Sequence, residues 1–439
     1  MVLPSLAPRH LKRYKEIGRL LRYFRGDLWK GASASDLFAD FGADATDATA
    51  ADLPPEAEQL AADLEALGPT FIKLGQLLST RTDLLPMPYL KALTRLQDRI
   101  AAFPFAEVEA IVSTELGVRL SKAFASFEET PLAAASLAQV HRAALRDGRP
   151  VAVKVQRPGV REQILEDLEA LAVLADLLDR YTETGSQYQF GRLLDEMRTG
   201  LIAELDYRQE AQNLVEVAAN LRQFERLVVP APVADYTTSR VLTMDLIRGR
   251  KVTAISPLTR LDIDGAALAE ELFSAYLKQF LVDGLFHADP HPGNVFLTDD
   301  GRLALLDLGM VGRIAPRLQE GLLKLLLAVA EGQGERVAEL AFQMGHPVGS
   351  FDETEFRRRI SSQVMRYQGA KVEQIEVGQI MLEISRTAGE TGVQLPHELA
   401  MLGKALLNLD QVGRTLDPSL DPNATVRKHA MELLRQRMW

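Results

Sequence analysis

Residues 286–309, FHADPHPGNVFLTDDGRLALLDLG, hold three side chains whose types and spacing suit phosphoryl transfer: Asp289, Asn294 and Asp307. Asp289 stands two residues after His287 in an H-x-D turn, and Asn294 follows five residues later. The apolar runs VFL and LALL flank Asp299-Asp300-Gly301, and two strands joined by that turn would form a hairpin with Asn294 and Asp307 side by side at one end. One amide and one carboxylate oxygen suit Mg2+, which takes few protein ligands and completes its shell with phosphate oxygens and water. Asp289 is left to orient or deprotonate a nucleophile. Read singly, H-x-D is a polar turn; the motifs in this order are the specific signal.

Phosphoryl transfer of the kinase type calls for a lysine on an earlier strand, and VAVKV places Lys154 at the centre of a β-branched run. Upstream, where a glycine-rich loop would cover the phosphates, stand Ala133, Ala134, Ala135, Ser136, Leu137, Ala138 and Gln139 without one glycine. Alanine admits close backbone approach but disfavours positive φ, so this loop is expected to be stiff. An acid must orient Lys154, and the helix expected from about Phe190 offers Glu204, Asp206 and Glu210. Asp206 and Glu210, one turn apart, would share a face, and Glu210 is the candidate partner; read alone, the run is a solvated helix face. The strand RVLTMDLI ends around Met244, Asp245 and Leu246, where backbone groups would receive adenine. After Asp307-Leu308-Gly309 only residues 310–315 precede Pro316 and a helix, leaving little room for an activation segment or peptide platform.

Residues 64–78 read as one amphipathic helix, with Lys73 and Gln76 as its polar exceptions. Together these residues closely resemble the UbiB/AarF family of atypical, protein-kinase-like proteins linked to isoprenoid quinone biosynthesis, over about residues 65–345. The resemblance rests on Lys73-Leu74-Gly75-Gln76 as K-x-G-Q, the alanine-rich loop, Glu204 and Asp206 as ExD, and the H-x-D, Asn and D-L-G series. It implies ATP or ADP with Mg2+ as cofactors, Lys154 on the phosphates, Asn294 and Asp307 on the metal, and a K-x-G-Q segment lying over the protein-substrate entrance. Lys73, Gln76, Glu204 and Asp206 would then gate the site.

The 439 residues, 47% hydrophobic, fit a large enzyme rather than a small module, and the net charge of −10 argues against general nucleic-acid binding. The absence of cysteine excludes disulfides, thiolate metal sites and cysteine nucleophiles. No signal peptide or membrane-spanning run is visible up to Trp439, although many bacterial members of the family carry C-terminal membrane helices. Residues 9–30 read as a basic amphipathic helix with two readings, contact with an anionic membrane or docking on the chain's own large lobe; residues 31–55 read as a linker.

The expected fold is α+β, a bilobal kinase-like body with an N-terminal helical extension and a mainly helical C-terminal lobe. The expected segments are 1–55 (basic helix and linker), 56–122 (extension), 123–247 (small lobe) and 248–439 (large lobe). The expected function is an ATP-dependent kinase or ATPase supporting quinone biosynthesis and acting on a lipid or quinone precursor. Its expected place is the cytoplasm, peripheral on the inner face of the cell membrane, with quinone-biosynthesis proteins as partners. The alternatives are a small-molecule phosphotransferase of the aminoglycoside or choline kinase type, and a nucleotide-gated lipid-binding scaffold.

Overall fold

The computed structural model describes residues 13, 16, 17, 54–79, 85, 87–96, 101–181, 190–347, 351–369 and 377–437. The chain divides into two compact bodies, Met1–Asp206 with Thr238–Leu242, and Tyr207–Thr237 with Thr243–Trp439. In the first, helices α1 (Pro55–Leu67), α2 (Pro69–Leu78) and α3 (Met87–Thr94) form the extension. The single helix expected over 64–78 is broken at Gly68, whose φ of 100° only glycine adopts easily, and restarts at Pro69, whose missing N–H costs nothing in a first turn. The apolar spacing survives the break, because Leu60, Leu64, Phe71, Leu74, Leu90 and Leu93 share one buried core.

Helices α4 (Phe105–Leu116) and α5 (Leu120–Ala123) lead into strands β1 (Phe124–Phe127), β2 (Ala133–Ala134), β3 (Ala138–Leu145) and β4 (Pro150–Gln156), all antiparallel, with β1, β2 and β4 each paired to β3. Val151, Val153 and Val155 are fully buried, and Val140 pairs with Lys154 in the register. Two helices follow, α6 (Val160–Tyr181) and α7 (Phe190–Glu204), joined by a core that includes Ile164, Leu168, Leu194 and Leu201.

Asp167 of α6 is a buried junction. Arg13 Nε and Nη2 donate to its two oxygens at 2.5 and 2.8 Å, and Thr70 Oγ1 of α2 donates to Oδ2 at 2.5 Å. Arg13 Nη2 also donates to Leu67 O at 2.8 Å, its guanidinium lies 5.1 Å over the Phe71 ring, and Ile17 is buried in the same core. The described residues of the basic segment therefore dock on the first body. For Arg13 this replaces docking on the large lobe, since its guanidinium is engaged by a bidentate carboxylate, a carbonyl and a ring of the first body. The rest of residues 9–30, and 31–53 of the expected linker, lie outside the described residues.

The second body begins with α8 (Tyr207–Asn220) and β5 (Leu227–Val228); β6 (Val241–Asp245) starts in the first body and ends in the second. Strand β7 (Gly249–Lys251), helix α9 (Pro257–Leu261) and helix α10 (Gly265–Lys278) come next, α10 being capped by Asp264, which accepts from Ala267 N–H at 3.1 Å. Four more strands carry the site, β8 (Leu285–His287), β9 (Val295–Thr298), β10 (Leu303–Leu305) and β11 (Val311–Arg313). One sheet runs β5-β10-β9-β7, and β8 pairs with β11. The remainder is mainly helical: α11 (Pro316–Ala330), α12 (Gly334–Met344), the short β12 (His346–Pro347), α13 (Glu353–Gly369), α14 (Val377–Glu390), β13 (Val393–Gln394), α15 (His397–Leu416) and α16 (Pro422–Arg437). No helix among the described residues is long and apolar enough to cross a membrane.

Removing the Asp167 carboxylate takes the bidentate partner from Arg13 and the acceptor from Thr70. Asp167→Ala is expected to destabilise the first body by about 1–3 kcal/mol, below the full cost of a broken buried pair because Arg13 is partly exposed. Urea denaturation followed by circular dichroism checks this, and an unshifted midpoint would refute it.

Candidate phosphoryl-transfer site

Strands β9 and β10 pair antiparallel with Val295 opposite Leu305, and Leu306 N–H donates to Asn294 O at 2.9 Å, extending the ladder to the residues beside the two metal-ligand candidates. The turn is tied by Asp300, which accepts from Thr298 Oγ1 and from Arg302 Nε and Nη2 at 2.9 and 2.7 Å. Those bonds hold its carboxyl down at about 2. Asn294 Nδ2 faces Asp289 O at 3.4 Å, so its amide oxygen is the atom left for a cation. Asp307 has φ 59°, and it is the one non-glycine residue with positive φ among those described. A carboxylate held in that sparsely populated region is over-determined by its surroundings, as at a ligand site.

Helix α8 supplies part of those surroundings. Asn213 Nδ2 donates to Leu308 O at 2.9 Å, and Glu210, 5% exposed, flanks Gly309: a Cβ built there would lie 3.8 Å from Glu210 Oε2 and 3.5 Å from Asp307 Oδ1. Asp206 lies in the break between α7 and α8, so it shares no helix face with Glu210, contrary to the sequence reading. Buried Leu205 fills the break, and aspartate is favoured where a new helix begins.

Asp289 follows β8, where Val311 pairs with His287 and Ala288 N–H donates to Met310 O at 3.1 Å. His287 is fully buried, and burial lowers its pKa against the opposing pull of Asp289 and Asp307. Asp289 itself is held by α15. Asn408 Nδ2 donates to Asp289 Oδ1 at 3.0 Å, and Lys404 Nζ lies 3.7 Å from the same oxygen. Neither residue was found from the sequence; the available signal was a polar pair four residues apart in the apolar run LAMLGKALLNL.

In the first body Lys73 Nζ lies 3.3 Å from Glu204 Oε2, with side chains 17% and 14% exposed. Gln76 Nε2 donates to Leu96 O at 3.4 Å. The alanine-rich stretch is a tight β2–β3 hairpin in which Ala135 N–H donates to Ala138 O at 2.7 Å and Ser136 is buried. The side chain of Gln139 is engaged within the protein: its amide accepts from Phe103 N–H at 3.0 Å, donates to Phe103 O at 3.3 Å and lies 3.0 Å from His141 Nε2. On β6, Asp245 N–H donates to Ala231 O at 3.0 Å, which removes that amide from adenine recognition. Lys154 stands half-buried on β4 in the first body, whereas Glu210, Met244, Asp245, Leu246, Asp289, Asn294 and Asp307 belong to the second.

Among the described residues no group of three or more His, Asp or Glu forms a self-sufficient metal cage. The Asn294 and Asp307 oxygens fit Mg2+ in its phosphate-bound form, where the nucleotide furnishes the remaining ligands.

Comparison with known proteins places the chain's family. Residues 95–341 match the ABC1 atypical kinase-like domain and residues 360–421 the UbiB helical domain. The chain is 34% identical to "Probable protein kinase UbiB" of Marinobacter nauticus, covering 87% of this chain and 70% of that one. It is 36% identical to the chloroplastic ACTIVITY OF BC1 COMPLEX KINASE 8 of Arabidopsis thaliana over 87% of its own length, and spans 54% of that longer protein. Among solved structures it resembles the Rv3197–erythromycin complex from Mycobacterium tuberculosis, with a TM-score of 0.55 and 28% identity over 86% of this chain and 95% of that one. With an α+β kinase-like fold, a kinase-like domain over more than half its length and a UbiB helical domain behind it, the chain belongs to the ABC1/UbiB family of atypical kinase-like proteins.

Proposed function

We propose that this protein binds Mg-ATP and uses it as an atypical kinase or ATPase in support of isoprenoid quinone biosynthesis, acting on a lipid or quinone precursor rather than on proteins. The observation that carries the reading is the β9–β10 hairpin, which sets the Asn294 amide and the left-handed Asp307 carboxylate beside the Asp289 segment. In this reading Lys154 holds the α- and β-phosphates, and Glu210 takes the part of the acid that orients Lys154. Mg2+, when bound, supplies charge neutralisation at the phosphates from a site held by Asn294 and Asp307. Asp289 aligns the acceptor hydroxyl or water and receives its proton. Lys73 with Glu204 gates the site, and the short path from Gly309 to Pro316 supports the absence of a peptide platform.

Two alternatives differ in what receives the phosphate. A phosphotransferase for soluble small molecules gains some support from the erythromycin in the mycobacterial relative's structure. In a lipid-binding scaffold, nucleotide would change membrane affinity without yielding a phosphorylated product.

Phosphate release from Mg-ATP, with and without anionic liposomes and a phenolic quinone-precursor analogue, tests the main reading. Asp307→Asn is expected to lower release about 10²–10³-fold, the usual cost of removing one group that stabilises transition-state charge. Equal background in the wild-type and Asp307→Asn proteins would leave the scaffold. Loss of the Lys73–Glu204 pair frees the gate at a cost of ~1 kcal/mol, so Lys73→Ala is expected to change the release rate about 5-fold, upward, in the absence of lipid. Phosphorylation of choline, an aminoglycoside or erythromycin in preference to the phenol would favour the soluble-acceptor alternative.

A further inference from the structure

The H-x-D segment, residues 287–294, contains no lysine or arginine. The carboxylate at its centre is nevertheless held from a distant helix, by Asn408, 119 residues away, at 3.0 Å and by Lys404 at 3.7 Å on the same oxygen. Lys404 and Asn408 are four residues apart on α15, so they share a face. Their helix is seated firmly: a Cβ at Gly378 of α14 would lie 2.7 Å from Gly403 O, and one at Gly403 would lie 3.1 Å from Gly378 O, a backbone-to-backbone contact that only glycines permit. Gly403 immediately precedes Lys404. Both side chains are only partly exposed, at 19% for Lys404 and 34% for Asp289, so their attraction is less screened than that of a surface pair.

We infer that Lys404 and Asn408 are positioning residues of the reaction: the helical domain fixes the rotamer and hydrogen bonding of Asp289 and so completes a site whose other parts lie in the kinase-like domain. The inference rests on the proposed ATP-dependent activity. Asn408 and Lys404 occupy Oδ1 and leave Oδ2 to face a hydroxyl or water. A carboxylate one third exposed and without these partners would sample several rotamers, and only a fraction of encounters would find it aligned. Misplacement of a reacting group by about 1 Å costs on the order of 100-fold in rate.

The experiment measures kcat for phosphate release and the Kd for Mg-ATP in Lys404→Met, Asn408→Leu and Lys404→Arg, each alone and in an Asp289→Asn background. Lys404→Met and Asn408→Leu are expected to lower kcat about 10- to 100-fold with Kd and melting temperature unchanged, and Lys404→Arg to recover part of the loss. In the Asp289→Asn background none of the three should lower kcat further, because the residues act through Asp289. Wild-type kcat in both Lys404→Met and Asn408→Leu, or losses that multiply with Asp289→Asn, would overturn the inference while leaving the ATPase reading intact. A wild-type protein that binds Mg-ATP without turnover would overturn both. Should Lys404→Met not fold, Lys404→Gln carries the same comparison.

Discussion

The hydrogen bond from Leu306 N–H to Asn294 O is the constraint around which the second body is arranged. It closes the β9–β10 ladder at the end remote from the turn, where the candidate residues Asn294 and Asp307 lie. On one side the chain runs back through Asn294 to Asp289; on the other it enters Asp307 in a backbone region that L-residues avoid. Strain of that kind persists only where neighbours hold it. Asn213 on the Leu308 carbonyl, Glu210 beside Gly309 and the β8–β11 pairing are those neighbours.

The hairpin was legible because its information is local. Alternating apolar runs, an Asp-Gly turn and polar residues at matching offsets specify a register within a dozen residues, and the register does the positioning. The lysine strand was legible for the same reason. The misread elements were those where a break in backbone direction interrupts an unbroken side-chain pattern. Apolar spacing runs through Gly68-Pro69 and acidic spacing through Leu205-Asp206, so both pairs of helices looked like single ones. Periodicity reports which face is buried, not whether the axis continues.

Gln139, Gln76 and Arg13 show a second kind of illegibility. Each reads as a polar group available for a ligand, and each makes a hydrogen bond within the protein itself, to Phe103, Leu96 and Asp167 respectively. Such assignments depend on contacts far apart in sequence. Lys404 and Asn408 are the converse, residues in a helix that looks purely structural and yet ends on the central carboxylate.

That last contact crosses a boundary that family comparison draws between two separate domains, one ending at residue 341 and the other beginning at residue 360. Modularity in the sequence is therefore not modularity in the machine. A recombination that exchanged only the kinase-like segment between relatives would transplant the H-x-D carboxylate without the helix that orients it. Asp289 and the two side chains that hold its Oδ1 thus lie in segments that the family comparison treats as separate.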